Sequence, residues 1–209
     1  SGSTFQATSF TGLTATEPAD IISDVALFYD IYAAGDTRRD VSYAKQLPIP
    51  GTANVYTFPK PIFKKYLDLT NLATPANVAI NFPVIRYADI LLSLAEAINE
   101  QGEPTPEAYE LINQVRRRAF AKPIATPDAT VDLAGLTQTT FRAAIQEERK
   151  KEFVQEGQRW FDLVRWGILV TEIKKVTAKN SVSERNNLYP IPQSERNIDP
   201  VGLPQNPGY

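Results

Sequence analysis

Residues 148–165 read Glu148-Arg149-Lys150-Lys151-Glu152-Phe153-Val154-Gln155-Glu156-Gly157-Gln158-Arg159-Trp160-Phe161-Asp162-Leu163-Val164-Arg165. The spacing upstream predicts a helix from about Thr139 to Glu156, closed by Gly157, with Phe141 and Ile145 on its apolar face. Advancing about 100° per residue places Glu148, Arg149, Glu152 and Glu156 within about 60° of Ile145. Charges therefore fall where a core is expected. Beyond Gly157, Arg159, Asp162 and Arg165 recur every third residue on a second short helix. Carboxylates and guanidinium groups in a partly buried place must be paired, because breaking such a pair costs several kcal/mol. Two readings compete. One is a catalytic carboxylate pair such as Glu148 with Glu152, or with Glu156, as in a glycosidase. The other is an ion-pair network of Glu148, Arg149, Glu152, Glu156, Arg159, Asp162 and Arg165 that joins the two helices, with arginine supplying planar forks. So many arginines would lower carboxyl pKa values, whereas acid catalysis needs one raised. The structural network is the favoured reading.

Working outward, Ile85, Ala88, Leu92, Ala95 and Ile98, with Ile90, Leu91 and Leu94 beside them, form a broad apolar stripe that ends at Gly102. Pro104-Thr105-Pro106 restarts the chain, with Thr105 placed to cap and Pro106 at the first helical position. The next helix would bury Ala108, Leu111, Ile112 and Val115, and its last turn carries Arg116, Arg117 and Arg118, where a helix dipole favours cations. Residues 86–119 thus read as an antiparallel hairpin resembling one tetratricopeptide unit. Its helices are expected to expose an apolar strip where preceding units would dock. Residues 121–138 read as a polar loop, Ile168 to Val176 as a further amphipathic stretch, and the Pro-rich last thirty residues as irregular.

Residues 1–83 form a loop-rich segment with one helix, from Pro18 to Tyr32, and two short extended pieces, Val41 to Gln46 and Val55 to Phe58, bounded by Pro48, Pro50 and Pro59. Residues 84–209 form the helical region. Gly35 to Asp40 reads as a charged turn; its alternating acids hint at a calcium loop, but two central arginines and the lack of a downstream bidentate Glu argue against one. Trp160, Phe161 and Trp166 could offer platforms to sugar rings, yet aromatic residues flanking a charged network are more often anchors of a core. Tyr29, Tyr32, Tyr43 and Tyr56 lie in or beside loop-like sequence, where recognition residues concentrate. As a group they are the candidate ligand-binding residues.

The 209 residues include no His, no Cys and no Met, and the net charge is -2. Histidine-dependent and thiol nucleophiles, disulfides and zinc fingers are excluded. No metal or organic cofactor is expected, and without a basic field neither is nucleic acid. Without Met the chain does not start at its own initiation codon, so it is expected to be a piece of a longer protein. No apolar run approaches the roughly 18 to 20 residues of a membrane span, and the chain itself is expected to be soluble.

Several motifs together resemble the SusD/RagB family, the nutrient-binding lipoproteins of the Bacteroidetes outer membrane. Arg86-Tyr87-Ala88-Asp89-Ile90-Leu91-Leu92 with Ala95-Glu96-Ala97 is similar to its RYADVLL…AEA helix. Ile112-Asn113-Gln114-Val115-Arg116 with Arg118-Ala119 resembles its N-x-V-R-x-R-A helix, and residues 148–165 resemble its ER-x-x-E…EG-x-R-W-x-D-L-x-R signature. Leu188-Tyr189-Pro190-Ile191-Pro192 and Gln205-Asn206-Pro207-Gly208-Tyr209 are similar to its usual ending, and Arg38 after Asp36 resembles its D-x-R turn. The resemblance implies a mainly α fold, a SusD/RagB-like helical array with one tetratricopeptide-like hairpin, long irregular loops and minor short strands. It implies that this is the C-terminal portion of a lipoprotein anchored through an N-terminal lipid and exposed on the outer surface of the outer membrane. Its partners would be an oligosaccharide, bound without catalysis, and a SusC-like TonB-dependent transporter. RagB-like peptide binding is the alternative, and in a third reading this segment is mainly scaffold. The family marks no ligand residue in this chain.

Overall fold

The computed structural model describes residues 24–48, 53–67, 80–176 and 181–209. The chain is mainly helical with one small sheet, and it divides after Gly157 into two units, Ser1–Gly157 and Gln158–Tyr209. In the first unit α1 (Val25–Phe28) and α2 (Arg38–Ser42) precede β1 (Tyr43–Pro48) and β2 (Val55–Phe63), followed by α3 (Tyr87–Glu100), α4 (Pro106–Ala119) and α5 (Gln138–Glu152). The second unit carries α6 (Arg159–Arg165), α7 (Leu169–Lys174), a 3-10 turn at Glu184–Asn187 and α8 (Gln193–Ile198).

The α3–α4 hairpin packs on α5 around Leu92, Ala95, Ala108, Ile112, Phe141 and Ile145, all fully buried. Burying each large side chain contributes roughly 1.5–3 kcal/mol, and the small residues Ala95 and Ala108 let the helices approach. Thr105 caps α4 by accepting from the Ala108 amide at 3.2 Å, with Pro106 next in line. The loop after α4 is zipped to that helix by side chains that imitate backbone. Asn113 exchanges two hydrogen bonds with Leu133, and the Tyr109 hydroxyl both donates to and accepts from Leu136. At the start of α5, Asn99 and Gln138 exchange side-chain-to-carbonyl bonds of 3.1 and 2.7 Å. These bonds meet most of the needs of the buried amides, and Asn99 Oδ1 is left without a partner among the described residues.

Several local expectations change. Of the helix expected over 18–32, only Val25–Phe28 is helical among the described residues, and 18–23 lie outside them. Within the expected turn at 35–40, Arg38 to Asp40 are the start of α2, because the Thr37 amide and hydroxyl both donate to Ala119 O at 2.9 Å and pin the helix start. Gly35, at φ +86°, makes the bend before it. β1 starts at Tyr43 rather than Val41, and β2 runs through Pro59 and Pro61. The strands pair antiparallel, with Ala44 opposite Ile62 and Gln46 opposite Thr57, so the prolines sit in a bulge of β2 where no ladder N–H is needed. α5 stops at Glu152, short of Glu156, because Gln155 and Gly157 take positive φ. On α3 the stripe is narrower than expected: Ile85, Ile90 and Leu94 are exposed, and with Tyr87 the last two form an apolar strip at spacings of three and four. Among the described residues no helix is long and apolar enough to cross a membrane.

Candidate functional site

The apolar face of α5 passes without interruption into an ionic one. Glu148, Arg149 and Glu152 are as buried as Phe141 and Ile145, and Glu156, though off the helix, is buried beside them. Their partners come from four other segments. Arg38 Nη1 reaches Glu148 at 2.7 Å and Glu152 at 3.2 Å, while Nη2 holds Asp36 at 2.6 Å. Arg116 pairs with Glu148 at 3.1 Å, Arg86 with Glu152 at 2.9 Å and Glu156 at 2.7 Å, and Arg118 and Lys65 close on Glu152 and Glu156. Arg149 turns to α3, 2.7 Å from Asp89, with its guanidinium over the Phe153 ring. In the second unit Arg165 pairs with Asp162 at 2.9 Å and Arg159 lies 3.7 Å from Glu172.

This arrangement answers the acid–base question for Glu152. Burial pushes its carboxyl pKa up, but the Arg118, Arg38 and Arg86 charges outweigh that, and the group is held below the usual carboxylate range. It is a fixed anion, not a proton donor. Glu148 and Glu156 are likewise clasped by cations, each by two. The cluster's effect is positional. Arg38, on α2, lies five residues before β1 and ties the start of the β hairpin to α5. Tyr32 adds a second tie, donating its hydroxyl to Lys151 O at 3.1 Å.

The hairpin held in this way carries an open pocket of about 470 Å³. Tyr43, Ala44 and Phe58 are its buried apolar floor, and Asp40, Lys45, Gln46, Thr57 and Lys64 supply polar groups around it. Tyr29 forms a half-buried aromatic wall, with the Lys45 ammonium 4.3 Å and the Arg39 guanidinium carbon 5.4 Å from its ring centre. Gln46 donates to Thr57 across the strands at 3.2 Å, which presets both side chains. Of the four candidate tyrosines, the pocket brings Tyr29 and Tyr43 together. Tyr32 lies behind them, edge-on to Tyr43 with ring centres 6.0 Å apart, and is an anchor; Tyr56 meets Phe58 edge-on at 4.9 Å and is not part of the lining. Burial pushes the Tyr43 phenol up to about 12. A second cavity, about 360 Å³, runs along α3 and α4 over Leu91 and Val115, but the arginines at its edge, Arg86 and Arg118, are already committed to Glu152.

The polar members of the hairpin pocket were not among the candidates from sequence. They sit in two strands, a five-residue helix and, for Lys64, the residue just after β2, and no periodicity singles them out. The arginines of α4 were visible as a cation-rich last turn, yet their contacts are specific. Arg117 is fully buried, forked onto Asp132 at 2.6 Å and onto Glu110 at 2.9 Å. Its neighbours Arg116 and Arg118 go to α5.

The sequence matches the SusD family over residues 34–209, and the chain belongs to that family. It is 38% identical over 142 residues to SusD-like protein P25 of Formosa agariphila, covering 66% of this chain and 26% of that protein. To the starch-binding protein SusD of Bacteroides thetaiotaomicron it is 34% identical over 135 residues, covering 62% of this chain and 22% of the other. Among solved structures, a laminarin-binding SusD-like protein superposes with a TM-score of 0.61 at 27% identity, over 88% of this chain and 37% of that one. The chain thus spans about a quarter of the length of these curated relatives.

Proposed function

We propose that this chain is part of a non-catalytic protein that captures oligosaccharide at the outer surface of the outer membrane and passes it to a SusC-like TonB-dependent transporter. Within the chain, the hairpin pocket is the contact surface. The observation that carries this reading is the pocket's composition: a half-buried Tyr29 ring beside fixed amide, hydroxyl and charged groups over an apolar floor. Sugar rings present an apolar face for the aromatic wall and a rim of hydroxyls for the polar groups. Family membership and the starch- and laminarin-binding relatives support the same ligand class. The outer-membrane lipoprotein setting and the transporter partner rest on the family alone. Against a glycosidase reading stand the clasped carboxylates of α5 and the lowered pKa of Glu152.

The test is calorimetric titration of the chain with a panel of neutral and charged oligosaccharides, with short peptides as controls. Saturable sugar binding that falls about tenfold or more in Tyr29→Ala, and holds in Tyr56→Ala, is the expected result; ten-fold is about 1.4 kcal/mol, within the range of a lost aromatic contact. Peptide-selective binding would favour a RagB-like role, and flat traces from a folded sample would make these residues scaffold.

A further inference from the structure

We infer that the hairpin pocket selects acidic oligosaccharides, sugars that carry a carboxylate or sulfate, over neutral ones. The inference rests on the glycan reading and narrows it. Asp40 is the acidic side chain of the lining, and Arg39 already takes its carboxylate at 2.9 and 3.4 Å. Asp30 also lies within electrostatic reach of Arg39, so Arg39 is compensated twice over and adds no net positive charge. Lys45 and Lys64 remain. Lys64 donates to the Asp40 carbonyl at 2.9 Å and lies within electrostatic reach of the Asp40 carboxylate, whereas Lys45 has no carboxylate partner among the described residues. The chain as a whole carries a net charge of -2. With Asp30 and Asp40 set against Arg39, Lys45 and Lys64, the surroundings of the pocket carry one net positive charge, a local excess of the opposite sign, of the kind that steers and selects an anion.

The position of Lys45 turns that excess into a selectivity device. Its ammonium stands 4.3 Å from the centre of the Tyr29 ring and occupies the aromatic surface on which a sugar would stack. A neutral sugar must displace the cation and gives no charge in return. A uronate or sulfated sugar displaces it and receives it again as a charge-assisted hydrogen bond. Lys64, on the same pocket, offers a second donor to the same anionic group or to the next residue of the chain. Because Lys45 is exposed, the discrimination is modest and sensitive to salt.

The experiment compares galacturonate, sulfated carrageenan, malto- and laminari-oligosaccharides of matched length, with oligoglutamate as a non-sugar anion, by calorimetry at low and high salt. Expected is about a tenfold preference for the acidic sugars at low salt, shrinking as salt screens the lysines. Lys45→Gln is expected to abolish most of that preference, and Lys45→Arg to keep it. Oligoglutamate is expected to bind weakly, since it lacks a ring face for Tyr29. A response to only one of the two anionic sugars assigns the site to carboxylate or to sulfate and upholds the inference. Neutral sugars binding as tightly as acidic ones overturn the inference and leave the glycan reading in place. Oligoglutamate matching the acidic sugars overturns it as well, reducing the pocket to a generic anion patch. Flat traces for every sugar overturn both.

Discussion

Replacing Arg38 tests the physical link between the ionic cluster and the pocket. The Arg38 side chain is 11% exposed, and the carboxylates it touches, on Asp36, Glu148 and Glu152, are only 2–3% exposed. The losses are unequal. Glu148 keeps Arg116, and Glu152 keeps Arg86 and Arg118, but Asp36 loses its guanidinium and retains the Arg38 backbone N–H at 3.1 Å. A buried carboxylate stripped of its partner costs about 3–5 kcal/mol, so Arg38→Met is expected to destabilise the first unit by that amount. With a urea slope of roughly 2–3 kcal/mol/M, the midpoint should fall by about 1–2 M. Both tryptophans, Trp160 and Trp166, belong to the second unit, so indole fluorescence is not a direct probe of the first. Far-UV circular dichroism, with the near-UV tyrosine band, follows the first unit instead. Adding Asp36→Asn to Arg38→Met should recover part of the loss, because the stranded charge is then gone. A midpoint shift worth less than about 0.5 kcal/mol, the size of an ordinary surface substitution, would refute the idea that this pair holds the hairpin to α5.

Two further outcomes follow from the same packing. The Tyr43 phenol, pushed by burial from 10.0 up to about 12, contributes stability that is complete below about pH 10 and disappears as pH rises towards 12; a spectrophotometric titration should show a late tyrosinate phase coincident with loss of near-UV structure, and tyrosines that all ionise near pH 10 in the folded chain would contradict it. Thr105→Ala removes the cap on α4 and should cost about 1 kcal/mol in denaturant unfolding, with Thr105→Ser close to neutral; equal losses in both variants would show that the threonine methyl, rather than its oxygen, matters.

Several elements of this fold could be read from the chain one segment at a time. The α3–α4 hairpin, the Thr105-Pro106 start and the burial of charge along α5 all follow from local rules: a 3.6-residue period, an oxygen within reach of a free amide, a proline where no N–H is needed. Several of the family motifs lie on those same segments. The pocket could not be read in this way. Lys45, Gln46, Thr57 and Lys64 carry no pattern, and they meet because a bulge at Pro59 and Pro61 sets the register of two short strands. Tyr32 and Tyr29 stand three residues apart in similar sequence, yet one is an anchor and the other a wall, according to which of them α5 covers.

Neighbours within a turn or two were enough to place the helices α3 to α6 and to put charge on a buried face of α5. Tertiary structure alone decided which cation meets which carboxylate. Arg38 reaches Glu148 across 110 residues of chain, and Arg86 reaches Glu156 across 70. Such pairs form only once the whole apolar core has offset the entropy of bringing distant segments together.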